Sequence, residues 1–384
     1  MLIEIHMIQN HAPSNLNRDD TGSPKDCVFG GVRRSRISSQ CIKRSIRKSE
    51  LFREELDGIE LGVRTRQLPD LVRKALLNQG FPEDVASVAG KRATGFGTKD
   101  GKEQPELETA QVMFFSSYDI QAVIDVLAEA AQAAGSASEL EKVNAADLQK
   151  KAQLRGWRPI TTDIALFGRM ITSRAFRDVE ASIQVAHALS THEMVQEWDY
   201  YTAVDDLAES RDDEDDSGAA MIGDVEFNSA CYYKYFSIDF PSLVNNLAGP
   251  SPTETDLAEA CHTAAKTCCA FLRSAALVTP TGKQNTFAAH QLPDGILIEV
   301  RPINIPVSYA NAFVKPVVVQ RNLDLVDASL QAFASHVDLL THKYSLKAAS
   351  RLWFTTRPIN IPATQQCDTF DDMIRELESV VGLR

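Results

Sequence analysis

Residues 17–48, NRDDTGSPKDCVFGGVRRSRISSQCIKRSIRK, run from a polar, glycine-containing loop into a stretch of helical spacing whose polar sides are almost entirely cationic. Residues 1–48 hold nine Lys or Arg (Arg18, Lys25, Arg33, Arg34, Arg36, Lys43, Arg44, Arg47, Lys48) against four acids (Glu4, Asp19, Asp20, Asp26), in a chain whose net charge is −12. Serine favours the N-cap, so the helix is expected to start at Ser38 or Ser39, with Ile42 and Ile46 on an inward stripe. Lys43 and Arg47, one turn apart, repel each other by roughly 0.2–0.5 kcal/mol on an isolated helix. No glutamate offsets that repulsion before Glu50, so an anionic ligand would relieve it. The stretch reads as a phosphate-gripping element.

The rest of the composition is that of an ordinary soluble protein. With 384 residues, 44% hydrophobic and 24% charged, the chain can bury a sizeable core in one elaborated domain or two to three modules. No run of about 18 apolar residues is present and the first residues lack a basic leader, so neither a membrane span nor a signal peptide is expected, and a cytoplasmic location follows. Seven cysteines without CxxC spacing argue against a disulfide framework and a zinc site. The overall acidity weighs against a polyanionic partner, but distribution outranks the sum. Asp212, Asp213, Glu214, Asp215 and Asp216 place five negative charges in one short loop.

Along the chain, residues 2–7 alternate as a half-buried strand, Ile3, Ile5 and Met7 facing one way and Glu4 and His6 the other. The following thirty residues, with Pro13, Gly22, Pro24, Gly30 and Gly31, read as an irregular loop. Short helices are expected over 69–78, 82–89, 118–134 and 145–154, an Ala-rich helical insertion. Residues 164–170 and 181–188 read as strands, with a helix the alternative for the second. Residues 198–204 and 221–227 form a candidate hairpin around an acidic tip, residues 205–217. Strands over 231–240, 295–300 and 351–355 and helices over 254–277 and 325–342 complete an α+β chain. The order of strand, helix, strands, helix and strand matches a ferredoxin-like βαββαβ core carrying large insertions. The hexapeptide RPINIP occurs at 301–306 and 357–362, too short to indicate a repeat architecture.

Catalytic motifs are wanting. GKRATGFGTKDGK, residues 90–102, does not meet the GxxxxGK pattern with a following Ser or Thr, and reads as a basic surface loop. The histidines show no HxxxH or HExxH spacing and no GxSxG elbow is present. No cofactor is expected. Asp19, Asp20 and Asp26 are carboxylates that could hold Mg²⁺, which leaves a metal-dependent ribonuclease as the alternative; adjacent acids beside Arg18 are more often turn residues. Trp198, Tyr200 and Tyr201 on a protruding hairpin could stack on or wedge between bases.

Residues 14–48 resemble the signature of the CasC (Cse4-type) family, the repeated backbone subunit of type I-E CRISPR Cascade surveillance complexes. Further similarity follows in IALFGRMITS (164–173), SIQVAHALSTH (182–192), DYYTAVDDL (199–207), IGDVEF (222–227), KQNTFAA (283–289) and YANAF (309–313). The resemblance implies a hand-like protein that is not itself an enzyme: a modified RRM or ferredoxin-like palm (1–57, 159–195 and 228–384), helical fingers (58–158) and a β-hairpin thumb (196–227). Copies would polymerise along the CRISPR RNA (crRNA), with bases turned outward to pair with target DNA. They would meet the large and small Cascade subunits, the subunits capping the guide's 5′ and 3′ ends, and a recruited helicase-nuclease. Carried over residue by residue, Arg18, Lys25, Ser39, Gln40, Lys43, Arg44 and Arg47 line the RNA backbone. Met170 lies against a base, and Tyr201, Thr202 and Val204 lie on the thumb. The chain departs from the family pattern at Tyr200-Tyr201 and in its longer acidic tip.

Overall fold

A computed structural model describes residues 1–203 and 221–383; Val204 and the acidic tip, with Asp212 to Asp216, lie outside the described residues. In chain order the first elements are β1 (Leu2–Ser14), β2 (Asp26–Phe29), β3 (Val32–Ile37), α1 (Ser39–Lys48), α2 (Glu50–Glu55) and β4 (Val63–Thr65). Next come α3 (Leu68–Asn78), α4 (Glu83–Thr94), β5 (Met113–Phe115), α5 (Ser117–Ala134), α6 (Ala137–Leu140), α7 (Ala145–Leu154) and α8 (Thr162–Phe167). They are followed by β6 (Ile183–Val185), β7 (Ala188–Ser190), β8 (Glu197–Ala203), β9 (Met221–Asp239), α9 (Phe240–Ala248), α10 (Glu254–Leu277) and α11 (Gln284–Phe287). The chain closes with β10 (Gly295–Arg301), α12 (Leu325–Lys343), β11 (Ser350–Thr355), β12 (Gln365–Gln366) and α13 (Phe370–Val381). The fold is α+β. Among the described residues, no helix is long and apolar enough to cross a membrane.

Two compact units divide the chain. The first comprises Met1–Glu54, Gln184–Ile238 and Cys268–Arg384. Its sheet follows the order β12-β11-β10-β1-β9-β7-β3-β2, with β8 paired to β9 off this path. β1 runs antiparallel to β10 from Leu2↔Arg301 to Ile8↔Gly295, and β10 antiparallel to β11. The strands β10, β1, β9 and β7 thus stand side by side as fourth, first, third and second in chain order. Tyr309, Phe313, Leu330, Phe333, Val337 and Trp353 form a core of this unit together with Ile8 and Leu297.

Being central, β1 is covered on both faces, so its alternation does not leave a wet side: Glu4 and His6 are both fully buried. Burial requires partners for such groups. Arg301 pairs with Glu4 and with Glu299 (2.8 Å), and Glu299 also takes Arg351 (2.8 Å). The Glu4 carboxyl accepts from the Tyr235 hydroxyl at 2.6 Å and from the Val307 N–H at 2.7 Å. Burial pushes its pKa up against the pull of these donors and of Arg301.

Three local expectations are corrected. The loop after β1 contains a hairpin, β2 with β3 from Asp26↔Ser35 to Phe29↔Val32, closed by Gly30 and Gly31 at φ +64° and +83°. Such a two-residue turn needs left-handed backbone at both positions, which glycine supplies. Residues 164–170 are not a strand: α8 covers Thr162–Phe167 and stops at Gly168, φ +78°. A short apolar run does not reveal its period. Finally, the returning arm of the hairpin and the strand after it are one continuous strand, β9.

The second unit, Glu55–Ile183 with Asp239–Thr267, is mainly helical. Leu68, Val72, Leu76, Ala86, Ala89, Phe96, Phe115, Val123 and Leu127 belong to its core, where alanines let α3, α4 and α5 approach closely. The pair β4–β5 adds a small antiparallel ladder.

Candidate nucleic-acid interface

The loop leading out of β1 is a built object. Arg18 bridges Pro24 across it, the Lys25 N–H donates to Asn17 O at 2.9 Å and the Asp19 N–H to Ser23 O at 2.9 Å. One carboxylate oxygen of Asp19 accepts from the Thr21 N–H (2.9 Å), the Thr21 hydroxyl (2.8 Å) and the Ser23 N–H (3.0 Å). These bonds, Thr21's hydroxyl foremost, hold its carboxyl below the usual range. Asp26 is taken by the Arg33 guanidinium. Among the described residues, no group of three His, Cys, Asp or Glu could hold a metal ion, so Asp19, Asp20 and Asp26 do not assemble as a set.

Two asparagines fix the loop to its surroundings. The buried Asn15 amide donates both to Gly22 O in the loop and to Glu226 O on β9, each at 2.9 Å. The Asn17 side-chain oxygen accepts from the Ser38 N–H at 2.8 Å. Ser38, in extended conformation, then caps α1 by accepting from the Cys41 N–H at 3.2 Å. Ile42 and Ile46 are buried, as their spacing predicts, and the remaining sides of α1 carry Lys43, Arg44, Arg47 and Lys48. Ser39 and Gln40 occupy its first turn. Arg47 and Lys48 fall in the last turn, where the helix dipole favours cations. Lys43 is half-buried, and that desolvation lowers its pKa.

The nine cations are not equivalent. Arg34 is fully buried and donates to the carbonyls of Ser190 (3.1 Å) and Phe313 (2.7 Å), which makes it a structural tie. Arg33 is paired with Asp26, and Arg36 donates to Asp26 O at 3.0 Å. Arg18, Lys25, Lys43, Arg44 and Lys48 carry no ion pair among the described residues, and they share one loop–helix element. A cavity lined by residues 16–22 and Gly282 opens beside Arg18. Cationic side chains with nearby turn N–H groups suit a phosphate.

The hairpin pairs Glu197↔Phe227 through Ala203↔Met221. Trp198, Tyr200 and Tyr201 are exposed on it, and so is Thr202. Tyr201 stands over its cross-strand partner Gly223, where an added Cβ would meet its hydroxyl at 2.5 Å. Met170 is 94% exposed and belongs to the second unit, apart in the chain from the loop and helix.

Two contributors escape reading by composition and spacing. Asn15 is one. The other is the turn around α11: Gly282 lies flat on the backbone of Asn15 and Leu16, where a Cβ would meet Leu16 O at 2.4 Å. It is followed by Lys283 and Ala288 at φ +51° and +47°. Gln284 clamps this turn through Pro280 O (3.1 Å) and Ala289 N (2.7 Å), and Phe287 packs on Phe227 at the hairpin base, 5.5 Å between ring centroids. Left-handed backbone at a residue other than glycine is costly and clusters at functional sites. The KQNTFAA similarity is the one signal of this turn in the sequence.

A profile of the CT1975-like protein family matches residues 3–380. The chain belongs to that family. One solved structure, titled "CRISPR RNA-guided surveillance complex, pre-nicking", contains a chain 26% identical to this one, with a TM-score of 0.81 over 99% of this chain and all of that one. A second, titled "CRISPR RNA-guided surveillance complex", matches at 24% identity with a TM-score of 0.71 over 99% of this chain and all of that one, a likeness of fold. No curated protein matches this CT1975-like chain.

Proposed function

We propose that this chain is a subunit of a CRISPR RNA-guided surveillance complex of the Cascade kind, specifically the type I-E backbone subunit that polymerises along the crRNA. The observation that carries the reading is the end-to-end likeness, at 26% identity, to a chain of such a complex. The cationic loop–helix element is where the guide's phosphates sit, contacted by Arg18, Lys25, Ser39, Gln40, Lys43, Arg44 and Arg47. The strand order around β1 supports an RRM-type palm, and the hairpin with Tyr201 and Thr202 supports a thumb that bends the guide. Met170, exposed on the second unit, is the residue that meets a base.

A backbone subunit must accept any guide sequence, so phosphate and shape contacts suit it better than base-edge readout. Head-to-tail addition of one chain to the next is a heterologous contact and grows a helical filament. The chain is a cytoplasmic binding subunit with no catalytic step of its own; target DNA, the other Cascade subunits and the helicase-nuclease meet it through the assembled complex. Co-expression with a CRISPR array tests this: the guide should co-purify and show periodic nuclease protection. Copurified RNA without periodicity, or Mg²⁺-dependent cleavage by the chain, would overturn it.

A further inference from the structure

In the second unit four arginines and a single carboxylate line one cavity. A cavity of about 250 Å³ is lined by Arg158, Arg169, Arg174 and Arg177 together with Asp119 and Trp157 among others. Asp119 takes the buried Arg169 at 2.5 Å and the part-buried Arg158 at 3.0 Å. Those two guanidiniums are spent further on carbonyls: Arg169 on Phe114 and Arg177, Arg158 on Ala152 and Ala175. Arg174 is mostly exposed and only 3.9 Å from Asp100. Arg177 has no carboxylate within ion-pair range among the described residues; its guanidinium rests 5.7 Å from the centre of the Trp157 ring. Four cations against one anion leave the lining strongly positive. Burial, and the nearby Arg169, lower the Arg177 pKa.

A planar guanidinium set on an aromatic ring, with its donors uncommitted among the described residues, is a preorganised fork for an anion with several oxygens. We propose that this pocket binds a phosphodiester group of a nucleic-acid strand other than the guide, with Arg177 as the principal contact and Arg174 as a second. The identity of that strand, DNA alongside a guide held elsewhere on the chain, rests on the surveillance-complex reading; the anion site itself does not.

The test uses the guide-loaded complex and a labelled oligothymidylate without complementarity to the guide, titrated over a salt series. Arg177→Gln should weaken oligothymidylate binding roughly tenfold and lower the log–log salt slope by about 0.7, leaving guide content unchanged. Arg177→Lys should restore the slope but only part of the affinity, because a point charge replaces a fork. Unchanged affinity and slope in both Arg177→Gln and Arg174→Gln would overturn the proposal. So would loss of the guide, which would make the pocket a guide contact, or loss of a protein subunit with oligothymidylate binding intact. If the wild-type chain carries no guide at all, that failure falls on the surveillance-complex reading; the same titration on the purified chain then decides the pocket.

Discussion

The Asn17 side-chain oxygen and the Ser38 N–H, twenty-one residues apart, meet at 2.8 Å. This bond joins the loop after β1 to the N-cap of α1, so the loop cations and the helix cations are held by one element. Replacing Asn17 with Ala leaves the Ser38 N–H without its partner in a buried setting and should cost about 1–3 kcal/mol. Ser38→Ala, which removes only the cap, should cost about 1 kcal/mol. Chemical denaturation measures both, and in Asn17→Ala guide affinity should fall as well because Arg18 loses its register with Lys43.

Lys43→Ala combined with Arg44→Ala should weaken RNA binding equally for guides of unrelated sequence. The log–log salt slope should drop by about 0.7 for each phosphate that no longer has its cation. Filter binding on two unrelated guides reads both quantities. An unchanged slope would remove α1 from the RNA surface.

Gly223→Val drives a side chain into the space held by the end of Tyr201. A phenol on a hairpin can swing away, so stability should change by under about 1 kcal/mol, while the ring is lost from its position. Both this variant and Tyr201→Gly should keep the guide bound but blur the periodicity of its nuclease protection. Sharp, unaltered periodicity in both would exclude the hairpin from bending the guide.

Lys234 is buried in β9 and desolvation lowers its pKa from 10.5 to about 8. Between pH 8 and 10.5 the unfolded chain holds more protons on this residue than the folded one, so stability rises with pH across that window. The full penalty is present below pH 8. Lys234→Met should therefore stabilise the protein at pH 7, by up to about 3 kcal/mol at about 1.4 kcal/mol per pH unit, and flatten the rise. Denaturation midpoints across the alkaline range check it.

What the sequence by itself determined is what neighbours along the chain decide. The 3.6-residue period placed α10 over Glu254–Leu277 and put Ile42 and Ile46 inward, with Ser38 at the cap, because a helix is made of contacts three and four residues apart. Alternation marked the first residues of β1 and the last of β9 for the same local reason. Only the tertiary structure decided which cations are free to meet an anion and which hold the fold. In the sequence Arg34 and Arg44 are alike; in the fold Arg34 is spent on carbonyls of Ser190 and Phe313, which lie 156 and 279 positions away. The same distance hid the burial of Glu4 and His6, which follows from β1 lying between β10 and β9, and the joining of loop to hairpin by Asn15 through Glu226. Propensity and period are written in adjacent residues, whereas burial and pairing depend on partners that only folding brings within reach.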